Sequence, residues 1–102
     1  MTLSDTYQLN NGEKIPVVGF GTWQTPDGEV AEKSVIAAID AGYRHIDTAA
    51  IYKNESSVGR GIANASVARE DLFVTTKLWN DSVTYEQAAA AIDESLTRLG
   101  LD

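Results

Sequence analysis

The sequence predicts an α/β fold in which parallel strands alternate with helices. Three short apolar segments, bounded by glycine or polar residues, have the character of buried strands. Three longer segments between and after them carry apolar residues at helical spacing. After an opening hairpin the order is therefore strand, helix, strand, helix, strand, helix. This alternation is typical of parallel strands joined by right-handed crossovers.

The N-terminal segment predicts a β-hairpin. Thr6–Leu9 and Ile15–Val18 are the two candidate strands, and the Asn11-Gly12 pair between them is the strongest short hairpin signal. Pro16 has no backbone N–H to donate and therefore favours an edge position for the second strand. A brief buried strand over Gly19–Thr22 is expected to follow.

The next two elements are a helix and a strand. Thr25-Pro26-Asp27 is typical of a helix N-terminus, with a capping threonine, a proline in the first turn and an acid at the positive end of the dipole. Gly42 occupies the position of a C-terminal glycine cap, and Tyr43–Asp47 is the strand that follows it. The predicted buried face of this helix consists of Ala31, Val35, Ala38 and Ile39.

The remaining segments predict a short helix, a third buried strand and a longer helix. Asn54 is the candidate cap of the short helix, and Leu72–Thr76 is the strand. Thr84–Gln87 matches a capping box and Gly100 a C-terminal cap, so these residues bound the longer helix. The predicted apolar residues are Val58 and Ile62 in the short helix, and Tyr85, Ala88, Ala89, Ile92, Leu96 and Leu99 in the longer one.

Composition limits the classes of partner. The 102 residues are enough for one domain, and the formal charge of −7 should repel nucleic acid and anionic lipid. No apolar run approaches the roughly 20 residues that a membrane helix needs. Because there is no cysteine and His45 is the only histidine, we expect neither disulfides nor a bound metal. We expect a cytoplasmic protein with no nucleic-acid or membrane partner.

Residues that could take part in binding or catalysis follow each of the three predicted parallel strands. Ligand sites of parallel α/β folds lie at the carboxyl ends of the strands. Neighbouring strands lie about 4.8 Å apart, so Asp47 and Lys77 would reach ion-pair distance if their strands pair. The full set at this end consists of Gly21, Thr22 and Trp23 after the first strand, Asp47 and Tyr52 after the second, and Lys77, Trp79 and Asn80 after the third.

Each of these residues also has a purely structural interpretation. A single aspartate, tyrosine or lysine is usually a surface or structural residue, and Trp23 and Trp79 could be packing residues. His45, second in its predicted strand, is more simply a hydrogen-bonded core residue than a ligand. Gly19-x-Gly21 lacks the third glycine of a dinucleotide fingerprint. The acidic face of the last helix, formed by Glu86, Asp93 and Glu94, is most simply a solvated surface.

The combination of motifs is far more specific than any one residue. The run from Gly42 to Gly59, GYRHIDTAAIYKNESSVG, strongly resembles the first signature of the aldo-keto reductases. The resemblance extends to Gly19–Trp23, to Phe73–Asn80 and to the closing Asp93–Gly100 segment. It therefore covers essentially the whole chain.

The resemblance implies a TIM (β/α)8 barrel. Residues 1–18 would be a hairpin that closes the bottom of the barrel, and residues 19–102 would be its first three strand–helix units. The sequence ends at Asp102, where a fourth strand would be due, so we expect a partial domain truncated at a unit boundary. The family's fourth catalytic residue, a histidine after that strand, is then absent.

The resemblance also implies roles for individual residues. Asp47, Tyr52 and Lys77 match catalytic positions, and Gly21 and Thr22, with Asp47, match contacts to the nicotinamide end of the cofactor. Trp23 and Trp79 match walls of the substrate pocket. The expected cofactor is NADPH, with NADH left open, because no residue here would contact a 2′-phosphate. The expected substrate is a small carbonyl compound.

The implied activity is reduction of aldehydes or ketones to alcohols, with Tyr52 donating the proton and Lys77, held charged by Asp47, assisting it. Two other interpretations stay open. The protein could be a cofactor-binding or assembly relative without catalysis, although intact Asp47, Tyr52 and Lys77 argue against this. The 102-residue chain by itself is expected to be inactive and to fold poorly or self-associate, whereas a monomer is expected of the complete protein.

Overall fold

The structure is a computed structural model that describes residues Met1–Asp102. It contains a two-stranded sheet, a three-stranded sheet and three helices, none of which is long and apolar enough to cross a membrane. Short 3₁₀ turns cover Ala50–Tyr52 and Arg69–Asp71. The strands are β1 (Thr6–Gln8), β2 (Lys14–Pro16), β3 (Phe20–Gly21), β4 (His45–Asp47) and β5 (Phe73–Thr75), and the helices are α1 (Glu29–Asp40), α2 (Glu55–Asn64) and α3 (Tyr85–Leu99).

The predicted hairpin is confirmed. β1 and β2 pair antiparallel with Tyr7 opposite Ile15. Gly12 has a φ of 88°, its N–H donates to the carbonyl of Leu9, and the Leu9 N–H donates to Glu13. The strands are thus joined by a three-residue loop that needs a left-handed glycine at its last position.

The three remaining strands form the predicted parallel sheet, in the order β3-β4-β5. Phe20, Ile46 and Val74 are aligned across it, and all three contact the main apolar core. Because side chains alternate along a strand, the residues on either side of this row face away from the core. His45 and Asp47 therefore lie on the face opposite the helices.

The core fills the space between one face of the parallel sheet and the three helices. Each helix contributes to it, so all three helices pack on the same side of the sheet. The buried apolar cluster consists of Val35, Ile39, Ile46, Val58, Ile62, Leu72 and Leu99. The opposite face of the sheet carries no helix, which leaves the side chains of the strand ends accessible.

Helix α1 buries its predicted face but begins later than predicted. Ala31, Val35, Ala38 and Ile39 are all buried, as expected. The prediction of a start at Thr25-Pro26 is wrong, because the first helical residue is Glu29 and Gly28 stands at the N-cap with no side-chain cap. The Gly28 N–H instead donates to Ser57 Oγ of α2 at 2.7 Å. A tertiary hydrogen bond therefore fixes where this helix starts.

The C-terminus of α1 follows the prediction closely. Gly42 has a φ of 114°, and its N–H donates to Ile39 while the Tyr43 N–H donates to Ala38. This pair of bonds is a Schellman motif, which satisfies carbonyls that the helix itself leaves free. The Leu3 side chain lies against Gly42, so the N-terminal segment covers the end of the sheet remote from the strand carboxyl ends.

The predicted start of α2 and both predicted ends of α3 are confirmed, with one correction. Asn54 precedes α2 as predicted, but its side chain makes no capping hydrogen bond. Thr84 forms the predicted capping box with Gln87, and Gly100 ends α3 with a φ of 71°. Only Leu99 of the predicted apolar face of α3 is buried, because no element covers the rest of that face.

Candidate functional site

The carboxyl ends of β3, β4 and β5 meet at one edge of the sheet. Gly21 pairs with Asp47, and Asp47 pairs with Thr75, so the three strand ends are level with one another. Lys77 follows two residues after Thr75. The sheet register thus brings together the residues that the strand-end rule selected from the sequence.

Asp47 and Lys77 form the ion pair predicted from strand spacing. Lys77 Nζ donates to Asp47 Oδ1 at 2.7 Å and to the Thr48 carbonyl at 2.8 Å. Two acceptors on the same loop therefore fix the position of the ammonium. The side chains remain 46% and 35% exposed for Lys77 and Asp47, so the pair is accessible to a bound molecule.

Tyr52 lies next to this pair, at the end of a 3₁₀ turn. The turn is joined to the end of β5 by the Ala50 N–H, which donates to the Lys77 carbonyl at 3.1 Å. Lys77 Nζ lies 5.4 Å from the centroid of the Tyr52 ring, a cation–π distance. Lys53, the next residue, has a φ of 61° and turns the chain into α2. The three predicted catalytic residues are therefore neighbours, with Lys77 against the ring of Tyr52.

The two predicted cofactor residues after β3 differ in their accessibility. Thr22 is buried, and both its N–H and its hydroxyl donate to the Asp47 carbonyl at 3.0 Å. Its side chain thus serves to attach the β3 loop to the β4 loop. Gly21 is exposed, and a Cβ there would meet no atom within 4 Å, so the surface beside it is open.

The two tryptophans lie on the loops that flank the Asp47 loop. Trp23 is 68% exposed and Trp79 is 46% exposed. Trp79 also lines an open groove of about 610 Å³, together with Lys53 and Arg98 among others. Large aromatic surface left open beside polar side chains is typical of a binding site.

His45 has a structural environment, as the simpler interpretation held. Its Nε2 forms a hydrogen bond with Thr75 Oγ1 at 2.9 Å, and its ring packs edge-on against Phe73 at 5.3 Å. The Gly19 backbone lies so close that a Cβ there would be 2.9 Å from His45 Nδ1. No group of three histidine, cysteine or carboxylate side chains is placed to hold a metal ion.

Two buried polar residues at the start of α2 are functional candidates that sequence reasoning missed. Asn54 was interpreted as a helix cap and Glu55 only as part of the family signature. Both are almost completely buried, and their side chains bond to the loops after all three strands. Thr22 and Thr76 lie more than twenty residues away along the chain, so no local pattern could have identified this role.

Comparison with known proteins identifies the family. Residues 17–102 match the Aldo/keto reductase family. The chain is 55% identical over 100 residues to an aldo-keto reductase from Mycolicibacterium smegmatis, covering 98% of this chain and 36% of that protein. It is 52% identical over 101 residues to glyoxal reductase from Bacillus subtilis, covering 99% and 37% respectively. The chain thus spans a little over a third of the length of these relatives.

A solved structure agrees with this assignment. The chain superimposes on a Bombyx mori aldo-keto reductase in complex with NADP with a TM-score of 0.86 at 49% identity. That match covers 100% of this chain and 36% of the other. The family match, the similarity to these relatives and the agreement of the folds together show that the chain belongs to the aldo/keto reductase family.

Proposed function

We propose that the whole protein, of which residues 1–102 are described here, reduces aldehydes or ketones to alcohols with NADPH. In this proposal Tyr52 donates the proton, while Lys77 and Asp47 provide the charged environment for that transfer. The observation that carries the proposal is the Asp47–Lys77 ion pair, fixed at the strand ends against the ring of Tyr52. Family membership and the similarity to an NADP complex support it.

The exposed strand ends fit the nicotinamide end of the cofactor. The Asp47 carboxylate accepts the Lys77 hydrogen bond on Oδ1, which leaves Oδ2 to accept a ribose hydroxyl. Gly21 offers open backbone beside it, and the buried Thr22 holds the loop in place. When bound, NADPH supplies the hydride, so the chain need supply only position and a proton. Among Gly21, Thr22, Asp47, Tyr52 and Lys77, only Lys77 is basic. Contacts to the pyrophosphate must therefore come from residues outside this set.

The residues of this site have complementary chemical roles. A carbonyl that accepts a hydride on carbon develops negative charge on oxygen, and a nearby phenol can donate its proton to that oxygen. The Lys77 ammonium favours this transfer because it stabilises the negative charge left on Tyr52. Asp47 holds the ammonium through a bond of 2.7 Å, which keeps the charge directed at the tyrosine. Charges held in place in this way stabilise a developing charge without rearrangement, which is how electrostatic catalysis acts.

Trp23 and Trp79 are proposed as the walls of the carbonyl pocket. Their loops flank the Asp47 loop, and both indoles are exposed. The Bacillus subtilis relative is named for reduction of glyoxal, a small dialdehyde, which makes glyoxal the first substrate to test. The whole protein is proposed to be a TIM barrel, in which the helix-free face of the sheet would face the barrel interior.

The first test is turnover of glyoxal by the whole protein, followed by the loss of NADPH absorbance. We expect turnover on the order of 1 s⁻¹ or more for wild type. Tyr52→Phe keeps the ring against Lys77 but removes the proton, so its kcat should fall by about a hundredfold to ten-thousandfold. Its affinity for NADPH should change little. The matched control is Tyr7→Phe in the exposed hairpin, which should leave kcat unchanged.

Two results would contradict the proposal. A Tyr52→Phe protein with most of the wild-type rate would remove this residue from the acid role. Wild-type protein that binds NADPH but reduces no aldehyde or ketone would favour the non-catalytic, cofactor-binding alternative.

A further inference from the structure

We propose that Asn54 and Glu55 are positioning residues, which hold the ends of all three parallel strands in the arrangement that the reacting groups need. They are neighbours in the chain at the start of α2, just after Tyr52. This inference rests on the proposed function, since it names residues that act on the proposed catalytic groups through others.

Asn54 connects the loop after β3 with the loop after β4. Its side chain is 1% exposed, and each of its polar atoms is used. Nδ2 donates to the carbonyls of Thr22 at 2.9 Å and Thr25 at 3.1 Å. Oδ1 accepts the hydroxyl of Thr48 at 3.0 Å. The amide group therefore adds a second link between two loops that Thr22 already joins through the Asp47 carbonyl.

The partners of Asn54 lie on both sides of Asp47. Thr22 is bonded to the Asp47 carbonyl through its N–H and its hydroxyl. Thr48 follows Asp47, and its carbonyl is one of the two acceptors for Lys77 Nζ. A shift of the Asn54 amide would therefore move the peptide groups that determine where Asp47 and the ammonium sit.

Glu55 performs the corresponding task for the end of β5. Its Oε2 accepts the Thr76 hydroxyl at 2.6 Å, and Thr76 directly precedes Lys77. Its Oε1 accepts from Arg98 of α3, with Nε at 2.8 Å and Nη2 at 2.7 Å. The Glu55 side chain is 1% exposed. A buried charge needs partners, and here Arg98 balances it while the second oxygen accepts from Thr76. Lys77 is thus held from its backbone side as well as through its ammonium.

The local cost of this arrangement argues that the long-range contacts matter. Asn54 occupies the N-cap of α2, yet its side chain makes no capping bond and the helix does without one. Glu55 is a carboxylate removed almost completely from water, which is unfavourable without charged or hydrogen-bonding partners. Asn54 forgoes the capping bond, and both residues bond instead to segments twenty or more residues away.

The sharpest test substitutes Thr76, because its hydroxyl is the link between Glu55 and the end of β5. Thr76→Val has nearly the same shape but cannot donate to Glu55, and Thr76→Ser restores the hydroxyl. In the whole protein we expect Thr76→Val to lower kcat by on the order of tenfold to a hundredfold, as small misplacements do. KM for glyoxal and the affinity for NADPH should change less than about threefold, and Thr76→Ser should recover most of kcat. Asn54→Ala should lower kcat in the same way.

A matched control separates positioning from simple loss of stability. Val35→Ala removes contacts within the apolar core, to which no residue of the proposed site belongs, so it should lower the thermal midpoint but leave kcat at 25 °C unchanged. A Thr76→Val protein that keeps the wild-type kcat would overturn the proposal. The proposal would also be overturned if Val35→Ala, with an equally lowered thermal midpoint, lost as much kcat as Thr76→Val and Asn54→Ala.

Amide exchange tests the inference without any activity. The N–H groups of Thr48 and Ala50 donate to the carbonyls of Thr75 and Lys77, and so report on the spacing of the strand ends. Both should exchange at least about tenfold faster in Thr76→Val, but not in Val35→Ala, while exchange in the core strand residue Ile46 stays unchanged. Unchanged exchange at Thr48 and Ala50 would overturn the positioning role. If wild-type protein reduces no aldehyde, the proposed function fails, and this comparison still decides whether the pair fixes the strand ends.

Discussion

Lys77 is the residue on which the contacts of the candidate site converge. Its ammonium contacts the Asp47 carboxylate, the Thr48 carbonyl and the ring of Tyr52. The Lys77 carbonyl accepts from Ala50 in the turn that carries the tyrosine. A change at either member of the ion pair should therefore disturb the same proposed catalytic group.

A double-mutant cycle on the ion pair tests whether the two residues act together. In the whole protein Lys77→Met should lower kcat by about a hundredfold or more, because a preorganised charge beside the reacting oxygen is lost. Asp47→Asn should have an effect of similar size, since the ammonium loses its closest partner. The double variant should be little worse than the worse single variant.

The measurement is kcat for glyoxal at saturating NADPH for the four proteins. Effects that multiply across the two sites would mean that Asp47 and Lys77 act independently. Tyr7→Phe again serves as the control for substitutions outside the site.

Single residues were predictable where neighbouring strands alone determine their contacts. The Asp47–Lys77 pair followed from strand spacing on the condition that the two strands pair, and it forms at 2.7 Å. Asn54 was only half predictable, because the cap rule found the start of α2 but could not foresee that its amide bonds to Thr22 and Thr48. Contacts between residues that are distant along the chain depend on the whole fold, which local chemistry does not specify.

Helix α2 depends on two glycines for close packing against its neighbours. A Cβ on Gly59 would overlap the carbonyl oxygen of Leu99 in α3. A Cβ on Gly61 would lie 2.8 Å from the carbonyl oxygen of Glu32 and the Cβ of Val35 in α1. Glycine inside a helix is unfavourable by about 1 kcal/mol relative to alanine. Here that loss is offset by the close approach of three helices over the core.

Gly59→Ala should therefore lower the free energy of unfolding of the whole protein, although alanine is the better helix former. We expect a loss of about 1–3 kcal/mol, because the added methyl would push α2 away from backbone atoms of α3. Urea unfolding measures the change. Ala63→Gly on the exposed side of α2 is the control and should cost only the propensity difference of about 1 kcal/mol. A stabilised Gly59→Ala protein would show that α2 and α3 do not pack this closely.

Element boundaries were predictable where they depend on local backbone chemistry. The Thr84 capping box and the glycine caps at Gly42 and Gly100 all occur as predicted. The predicted start of α1 at Thr25-Pro26 failed because the Gly28 N–H bonds to Ser57 of another helix. Cap rules describe the ends that a helix satisfies by itself, and this helix end is satisfied by its neighbour.

At the scale of the whole molecule, the parallel sheet is open at β5. This strand pairs only with β4, so one row of its backbone groups has no strand partner. An apolar groove runs between this edge and α3, lined by Phe73, Leu78, Ile92 and Leu96 among others. Ile92 is 48% exposed on that side. Edges and apolar faces of this kind favour pairing with further polypeptide.

The 102-residue chain by itself should therefore fold poorly or self-associate, and it should not reduce aldehydes. The charge of −7 opposes precipitation and favours small soluble assemblies. Sedimentation of the purified chain measures its self-association, and amide exchange measures how well it folds. A compact monomer, with β5 amides protected nearly to the global limit, would show that the open sheet is self-sufficient.

The proposed reaction is hydride transfer to a carbonyl carbon at this strand-end site while Tyr52 protonates the oxygen. The most direct measurement follows deuterium from NADPH labelled on the transferring face of C4 of the nicotinamide. With the whole protein and glyoxal, we expect one deuterium on the carbinol carbon of the product. We expect almost no labelled product from Tyr52→Phe at equal cofactor occupancy. Product without deuterium would rule out direct hydride transfer from the cofactor, and labelled product formed equally fast by Tyr52→Phe would rule out Tyr52 as the proton donor.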